Sequence, residues 1–299
     1  MVVNRGILAG LGVVLLWASA FPAIQVAAPD LGVIGLSFVR LAVATVALVV
    51  VGVLRGIRLP RVRDLGWIAA AGFFGMFAYQ LLLNTSELQV PAGTASIIVS
   101  AAPLVSVAVA WLLFREPVTP VTIVGSAIAL GGVAIVCLSR AGLSLSAAVV
   151  ITVAAMIVQG IYHPLQRPLL RTYSGLEVAT YTMVAGTVMT IPLVPFGWDA
   201  LANASAGGWL AALYLGLLPS ALGFVLWGFA VSRLPVAAST SLLYLVPPFA
   251  VLIAWVWLGE VPLSIELVGG LVVIVGVVVV TQGNRLLGRG RSSTTRPGT

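Results

Sequence analysis

Arg40 and His163 stand inside the apolar stretches of this 299-residue chain, and each could act on a solute. Arg40 lies about seven residues into the run 33–54, so about 10 Å below one membrane surface at 1.5 Å per residue. Its guanidinium offers two parallel donors to a carboxylate. The plainer readings are that it snorkels outward or caps carbonyls of a neighbouring helix. His163 is the sole histidine and sits beside Pro164. It titrates near neutral pH and suits a proton carrier. Equally, it suits a donor to the backbone carbonyl that the proline leaves free. Polar groups in apolar helices are costly and normally face a cavity or a partner.

Other candidates lie at similar depth. The run 6–28 offers Trp17, Ser19 and Phe21, and the run 146–166 offers Gln159 and Tyr162 beside His163. Tyr79, Gln80, Asn84 and Ser100 come from the runs 65–86 and 92–113, with Trp227 and Tyr244 in the matching later runs. Aromatic faces with a few fixed donors suit a flat apolar side chain carrying a zwitterion. Tryptophan also belongs to interfacial belts, which fits Trp67, Trp198 and Trp209 at run ends better than Trp17. Pro22, Pro103, Pro164 and Pro247 are hinge candidates, because each frees a carbonyl one turn earlier that something else must fill. Static kinks are the alternative.

The acids lie elsewhere. Asp30, Asp64, Glu87, Glu177 and Asp199 are expected in loops about the run ends, while Glu116, Glu260 and Glu266 fall at or near helix junctions. Glu116 and Glu260 each precede a proline-containing helix start, where a carboxylate accepts free amide hydrogens. Cys137 is the single cysteine, so no disulfide or cysteine-rich metal cluster forms within one chain. No metal site and no cofactor are expected.

The elements that position these residues are membrane helices. Hydrophobic residues make up 61% of the chain and charged ones 8%, with a mean hydropathy of +1.16, against about 25% charged in a soluble domain. A spanning helix needs roughly 20 apolar residues. Ten such runs are legible: 6–28, 33–54, 65–86, 92–113, 118–138, 146–166, 176–196, 208–231, 236–257 and 263–283. All fifteen basic residues are arginine. With both termini in the cytoplasm, thirteen arginines lie inside and one, Arg140, outside, as the positive-inside rule asks. The net charge of +7 therefore calls for no nucleic acid. An N-terminal signal peptide, with Arg5, the run 6–16 and Ala18-Ser19-Ala20, is the rival for the first run. Phe21-Pro22 nevertheless has a counterpart in His163-Pro164, which places the segment in the mature fold.

Residues 88–140 return at an offset of 144 as residues 232–284. Pro91 returns as Pro235, Pro103 as Pro247, Ala110-Trp111 as Ala254-Trp255, and Glu116 as Glu260. Gly72, Gly125 and Gly132 return as Gly216, Gly269 and Gly276. Ten helices divide into five and five, and an odd number inverts the second unit against the first. The expected architecture is all-α and integral to the membrane: two inverted five-helix repeats, 1–140 and 141–284, around a central cavity. A disordered cytoplasmic tail, 285–299, is expected to follow. Gly6, Gly10 and the paired glycines allow close helix approach.

WLLFREPVTPVTIVGSAIALGGVAI and its copy WVWLGEVPLSIELVGGLVVIVGVVV resemble the signature that ends each half of the drug/metabolite transporter superfamily, with its EamA-like domains. LLWASAFPAIQVA, the arginine in GLSFVRLAVA and the ten-run length agree. The resemblance covers the chain to about residue 285. It is strongest to bacterial aromatic amino-acid exporters, and it implies export by alternating access in the bacterial inner membrane. The seventh run has no arginine matching Arg40, a departure from twofold symmetry.

No HExxH, GxSxG, phosphate-binding GxxxxGK or intramembrane acid pair points to an enzyme. The expectation is a monomeric secondary exporter of aromatic and other neutral amino acids or small metabolites, contacting lipid but no nucleic acid. With no acid expected at mid-membrane, uncoupled transport is favoured. A proton-coupled drug or metabolite exporter is the alternative, and a non-transporting scaffold a further one.

Overall fold

The computed structural model describes residues 2–115, 118–139, 147–231 and 242–292. Among them every regular element is helical. Glu116, Arg140 and Pro235 lie outside the described residues, as do the side chains of Cys137 and Tyr244.

Helix α1, Val2–Arg55, passes through Pro22 and Pro29 and turns at Gly32, where φ is 70° and ψ 161°. Only glycine adopts that conformation readily. One residue therefore separates the arms 2–31 and 33–55, and the expected gap at 29–32 is a bend within the helix. The bend is pinned. Asp30 accepts from the Ser205 amide at 3.0 Å and its hydroxyl at 2.6 Å. Ser205 in turn caps a later helix, Ala206–Leu215, by accepting from the Gly208 amide.

Helix α2 is Val62–Ser86, α3 Ala92–Phe114, α5 Ala147–Leu170 and α6 Gly175–Asn203. Between them, α4 is Pro120–Ser139. Helix α7 runs through Ala206–Leu215, Gly216–Leu222 and Gly223–Val231. Val246–Leu258 forms α8 after a short 3-10 turn, and Ser264–Ser292 forms α9. Among the described residues, six helices are long and apolar enough to cross a membrane: Arg5–Arg55, Val62–Ser86, Ala92–Phe114, Ala147–Leu170, Gly175–Asn203 and Ala206–Trp227. Ile123–Val136, Val246–Leu258 and Ser264–Gly276 are shorter apolar segments. Large apolar side chains cover the outside as well as the inside, with Leu54, Leu112, Leu210 and Val256 all exposed. That surface suits hydrocarbon rather than water.

Helix α9 continues to Ser292, eight residues into the stretch expected as a disordered tail. No proline interrupts the chain there before Pro297, so nothing breaks the backbone ladder.

The 144-residue offset recurs in local geometry. Phe73–Ala78 and Gly216–Leu222 are both π-helical turns inside longer helices. Pro103 and Pro247 both open helical segments. Arg115 at φ 53° and Gly259 at φ 71° end those segments in the left-handed conformation. Helices α4 and α9 touch through small residues. A Cβ on Gly132 would lie 2.6 Å from the Val273 nitrogen, and one on Gly276 would collide with the Ala129 nitrogen. Val273 and Gly276 are the offset counterparts of Ala129 and Gly132, so one contact occurs twice with its roles exchanged.

Candidate functional site

A cavity of about 430 Å³ lies between α1, α2, α3, α5, α7 and α8, a size ordinary for small-molecule sites. The π turns form part of its wall. A π turn widens the helix by one residue and is frequent at functional sites. Each turn here carries an aromatic side chain from the opposite half. Trp17 donates its indole N–H to the Pro219 carbonyl at 3.0 Å. Its ring centroid stands 5.7 Å from that of Phe224 and 5.8 Å from that of Trp227. On the other side, the Tyr162 ring lies flush on Gly75, where any Cβ would collide with it. Pro219 is Gly75 displaced by 144.

Arg40 reaches inward from the second arm of α1. It is 7% exposed and lines the cavity. Its Nε donates to Ser220 Oγ at 2.9 Å, while Nη1 has no hydrogen-bond partner. The outward-snorkelling alternative is therefore corrected: Ser220 on the π turn draws the guanidinium toward the interior. Gln80 and Gln159 also line the wall, and the carbonyl oxygen of each has no partner. His163 is exposed on the cavity side, its ring 5.6 Å from Tyr162. Phe21, Tyr79, Ser100, Pro103 and Pro247 complete the expected residues found on this wall.

Four expected positions do not line it. Ser19 Oγ is bonded to Tyr214 Oη at 2.6 Å and tethers α1 to α7. Asn84 donates to Ser37 Oγ at 2.9 Å and ties α2 to the second arm of α1. Pro22 and Pro164 lie within helices and are buried off the wall. Residues not anticipated include Ser220, Phe224, Ser106 and Gln166. The offset of 144 would have found two of them, since it carries Met76 to Ser220 and Gln80 to Phe224.

The acids expected in loops or at junctions are more deeply placed than their neighbours in sequence imply. Glu87, Glu177 and Glu266 are buried. Glu177 accepts from Arg58 Nε at 3.0 Å and caps α6 jointly with Ser174. That carboxylate raises the Arg58 pKa above its ordinary value. Glu266 accepts from Thr94 Oγ1 at 2.6 Å and from the Leu263 amide at 2.9 Å. The expectation for Glu260 is a cap on the helix that follows it. Instead its Oε1 accepts from the Ala92 amide, at 3.4 Å, in the first turn of α3, and Glu266 serves α9.

Comparison with known proteins agrees with this architecture. The model of the EamA-like transporter family matches twice, over residues 4–138 and 146–282. A probable terminal-alkyne amino-acid exporter of Streptantibioticus cattleyicolor is 49% identical over 282 residues, 94% of each chain. The uncharacterized transporter YdfC of Bacillus subtilis is 33% identical over 264 residues, 88% of this chain and 86% of its own. The uncharacterized inner membrane transporter YedA of Escherichia coli K12 is 27% identical over 274 residues, 91% of this chain and 89% of its own. A protein crystal structure with 19% identity superimposes at a TM-score of 0.67, covering 94% of this chain and 99% of the other, so the fold is shared. With both halves matched and most of its length aligned, this chain is a membrane transporter of the EamA-like transporter family.

Proposed function

We propose that this transporter exports neutral amino acids with flat or slender apolar side chains, by alternating access between two inverted five-helix halves. The carrying observation is the cavity wall: aromatic faces from Trp17, Tyr79 and Trp227 beside a buried Arg40 whose Nη1 is unpartnered. Aromatic walls suit the side chain, and the guanidinium suits the carboxylate. The 49%-identical relative, a probable exporter of terminal-alkyne amino acids, supports the same class of solute.

Ten spanning helices follow when α1 counts as two crossings joined at Gly32 and the shorter segments in α4, α8 and α9 count as one each. Paired π turns, paired left-handed caps and the reciprocal α4–α9 contact support a pseudo-twofold relation between residues 1–140 and 141–284. Such halves can exchange conformations and so change the side to which the cavity opens. The wall reaches Gln166, next to the exposed Arg167 and Arg171. At the other end Ile24 and Leu83 are buried, and Gln25 donates to the Val90 carbonyl at 2.8 Å. This supports an opening toward the arginine-rich face, which the positive-inside rule assigns to the cytoplasm.

His163 on the cavity wall favours a second reading, a proton-coupled exporter of drugs or metabolites. Proteoliposome uptake of labelled phenylalanine, methionine and a terminal-alkyne amino acid, with and without a pH gradient, separates the two. Saturable flux of amino acids supports the first reading. Flux of a cationic drug alone supports the second and sinks the first.

A further inference from the structure

Glu87 follows the last turn of α2, its amide donating to the Leu83 carbonyl at 3.0 Å. It is 3% exposed, and neither carboxylate oxygen has a hydrogen-bond partner. The other buried acids are held, Glu177 by Arg58 and Ser174, Glu266 by Thr94 and the Leu263 amide. An ionised carboxylate buried without donors costs several kcal/mol, and such a group tends to take a proton instead. Burial accordingly pushes the Glu87 carboxyl well above the usual carboxylate range; Arg40 opposes the rise and Glu260 adds to it.

The fold brings Arg40 within electrostatic reach. The bond from Asn84 to Ser37 fixes α2 against the antiparallel second arm of α1. Arg40 lies three residues beyond Ser37, and Glu87 three beyond Asn84. Their Cα atoms are thus offset along the axis by about 9 Å, a gap the long arginine side chain partly closes. The charged and titratable groups acting on Glu87 are Arg40 from α1, Tyr79 from α2 and Glu260 from the segment after α8.

We propose that Glu87 is a proton-binding site whose occupancy is linked to the cavity through Arg40. When a solute carboxylate neutralises Arg40, Glu87 loses the cation that opposes its protonation. A proton from water then adds to a Glu87 oxygen; no other bond changes, and the proton returns to water when the solute leaves. Solute and proton therefore bind together, and each tightens the other to the same degree. Solute affinity rises as pH falls from the Glu87 pKa of the complex to that of the free protein, and is level outside that window. The linkage rests on Arg40 as the carboxylate site, whereas the proton site stands without it.

Infrared titration of the full-length protein in liposomes tests the proton site without any solute. A protonated-carboxyl band that titrates in the wild type and is lost in Glu87→Gln is expected. Arg40→Gln should move its midpoint upward by about one pH unit or more, while Arg40→Lys, which keeps the charge, should leave it near its wild-type place. The absence of a band lost in Glu87→Gln overturns the site, and equal shifts in the two arginine variants overturn the link. Calorimetry with L-propargylglycine, in buffers of different ionisation enthalpy, tests the linkage. Wild-type binding should take up protons and Glu87→Gln binding should not; wild-type binding without uptake overturns it. Failure of the wild type to bind, or unchanged binding by Arg40→Gln, counts against the carboxylate reading alone and leaves the infrared result to judge the site.

Discussion

Trp17 and Pro219, 202 positions apart, are joined by a 3.0 Å hydrogen bond from the indole nitrogen to the carbonyl oxygen. The bond crosses from the first helix of one half to the π turn of the other. A π turn pairs its own amides and carbonyls irregularly, and here a side chain from elsewhere in the chain helps to hold it. Trp17→Phe keeps a ring but removes the donor. The variant should lose about 1 kcal/mol of stability and a several-fold share of flux. Thermal unfolding and proteoliposome uptake on one preparation check both; flux at the wild-type level places the solute path elsewhere.

Arg40 should discriminate by charge. A hydrogen bond to a charged group contributes about 1.5–3 kcal/mol. Arg40→Met should therefore raise the half-saturating concentration of an amino acid roughly 10- to 100-fold. The decarboxylated amine of the same side chain should compete equally well against variant and wild type. If amine and amino acid weaken together, the guanidinium shapes the wall without binding the carboxylate.

Gly132 leaves no room for a side chain against α9. Gly132→Val should separate α4 from α9 and cost about 1–3 kcal/mol, the usual penalty for overpacking. A lowered melting temperature in detergent is the readout. Gly131 on the same helix faces open space, with nothing within 4 Å of where a Cβ would stand. Gly131→Val is therefore the control and should melt as the wild type does.

Arg115 occupies a left-handed position that glycine fills at the matching place, Gly259. A non-glycine residue there costs about 1–2 kcal/mol, partly offset because glycine makes the unfolded chain looser. Arg115→Gly should raise the melting temperature modestly. A lowered one means that the side chain has a stabilising partner stronger than the strain.

The helices, the internal repeat and a large part of the polar and aromatic cavity wall are legible in the sequence because each leaves a regular trace. Trp17, Tyr79, Gln80 and Gln159 are polar or aromatic at a depth where only apolar residues are expected, so they stand out. Ser220 does not, because one hydroxyl in an apolar run attracts no notice until Arg40 is seen to reach it. Glu87 misleads for a related reason. Glu87 lies between Ser86 and Leu88 at a run end, which reads as exposed, yet the turn into α3 folds it inward. Local sequence carries the depth of a residue along its helix, but it carries little about which face a short connection turns toward the protein. The extension of α9 past residue 285 shows the same limit, since arginine marks the membrane boundary without ending a helix.

The Gly32 bend has a practical side. Two helical arms joined by one glycine, with Asp30 bound to Ser205, leave no exposed connecting strand at that corner. Epitope tags and protease sites inserted between residues 29 and 33 would push into the cap of α7 and disturb the fold they were meant to report on. The Leu59 side chain is well exposed and takes a point label, but an insertion there would pull on the Arg58 and Arg61 amides that bond to Glu177 and Tyr173.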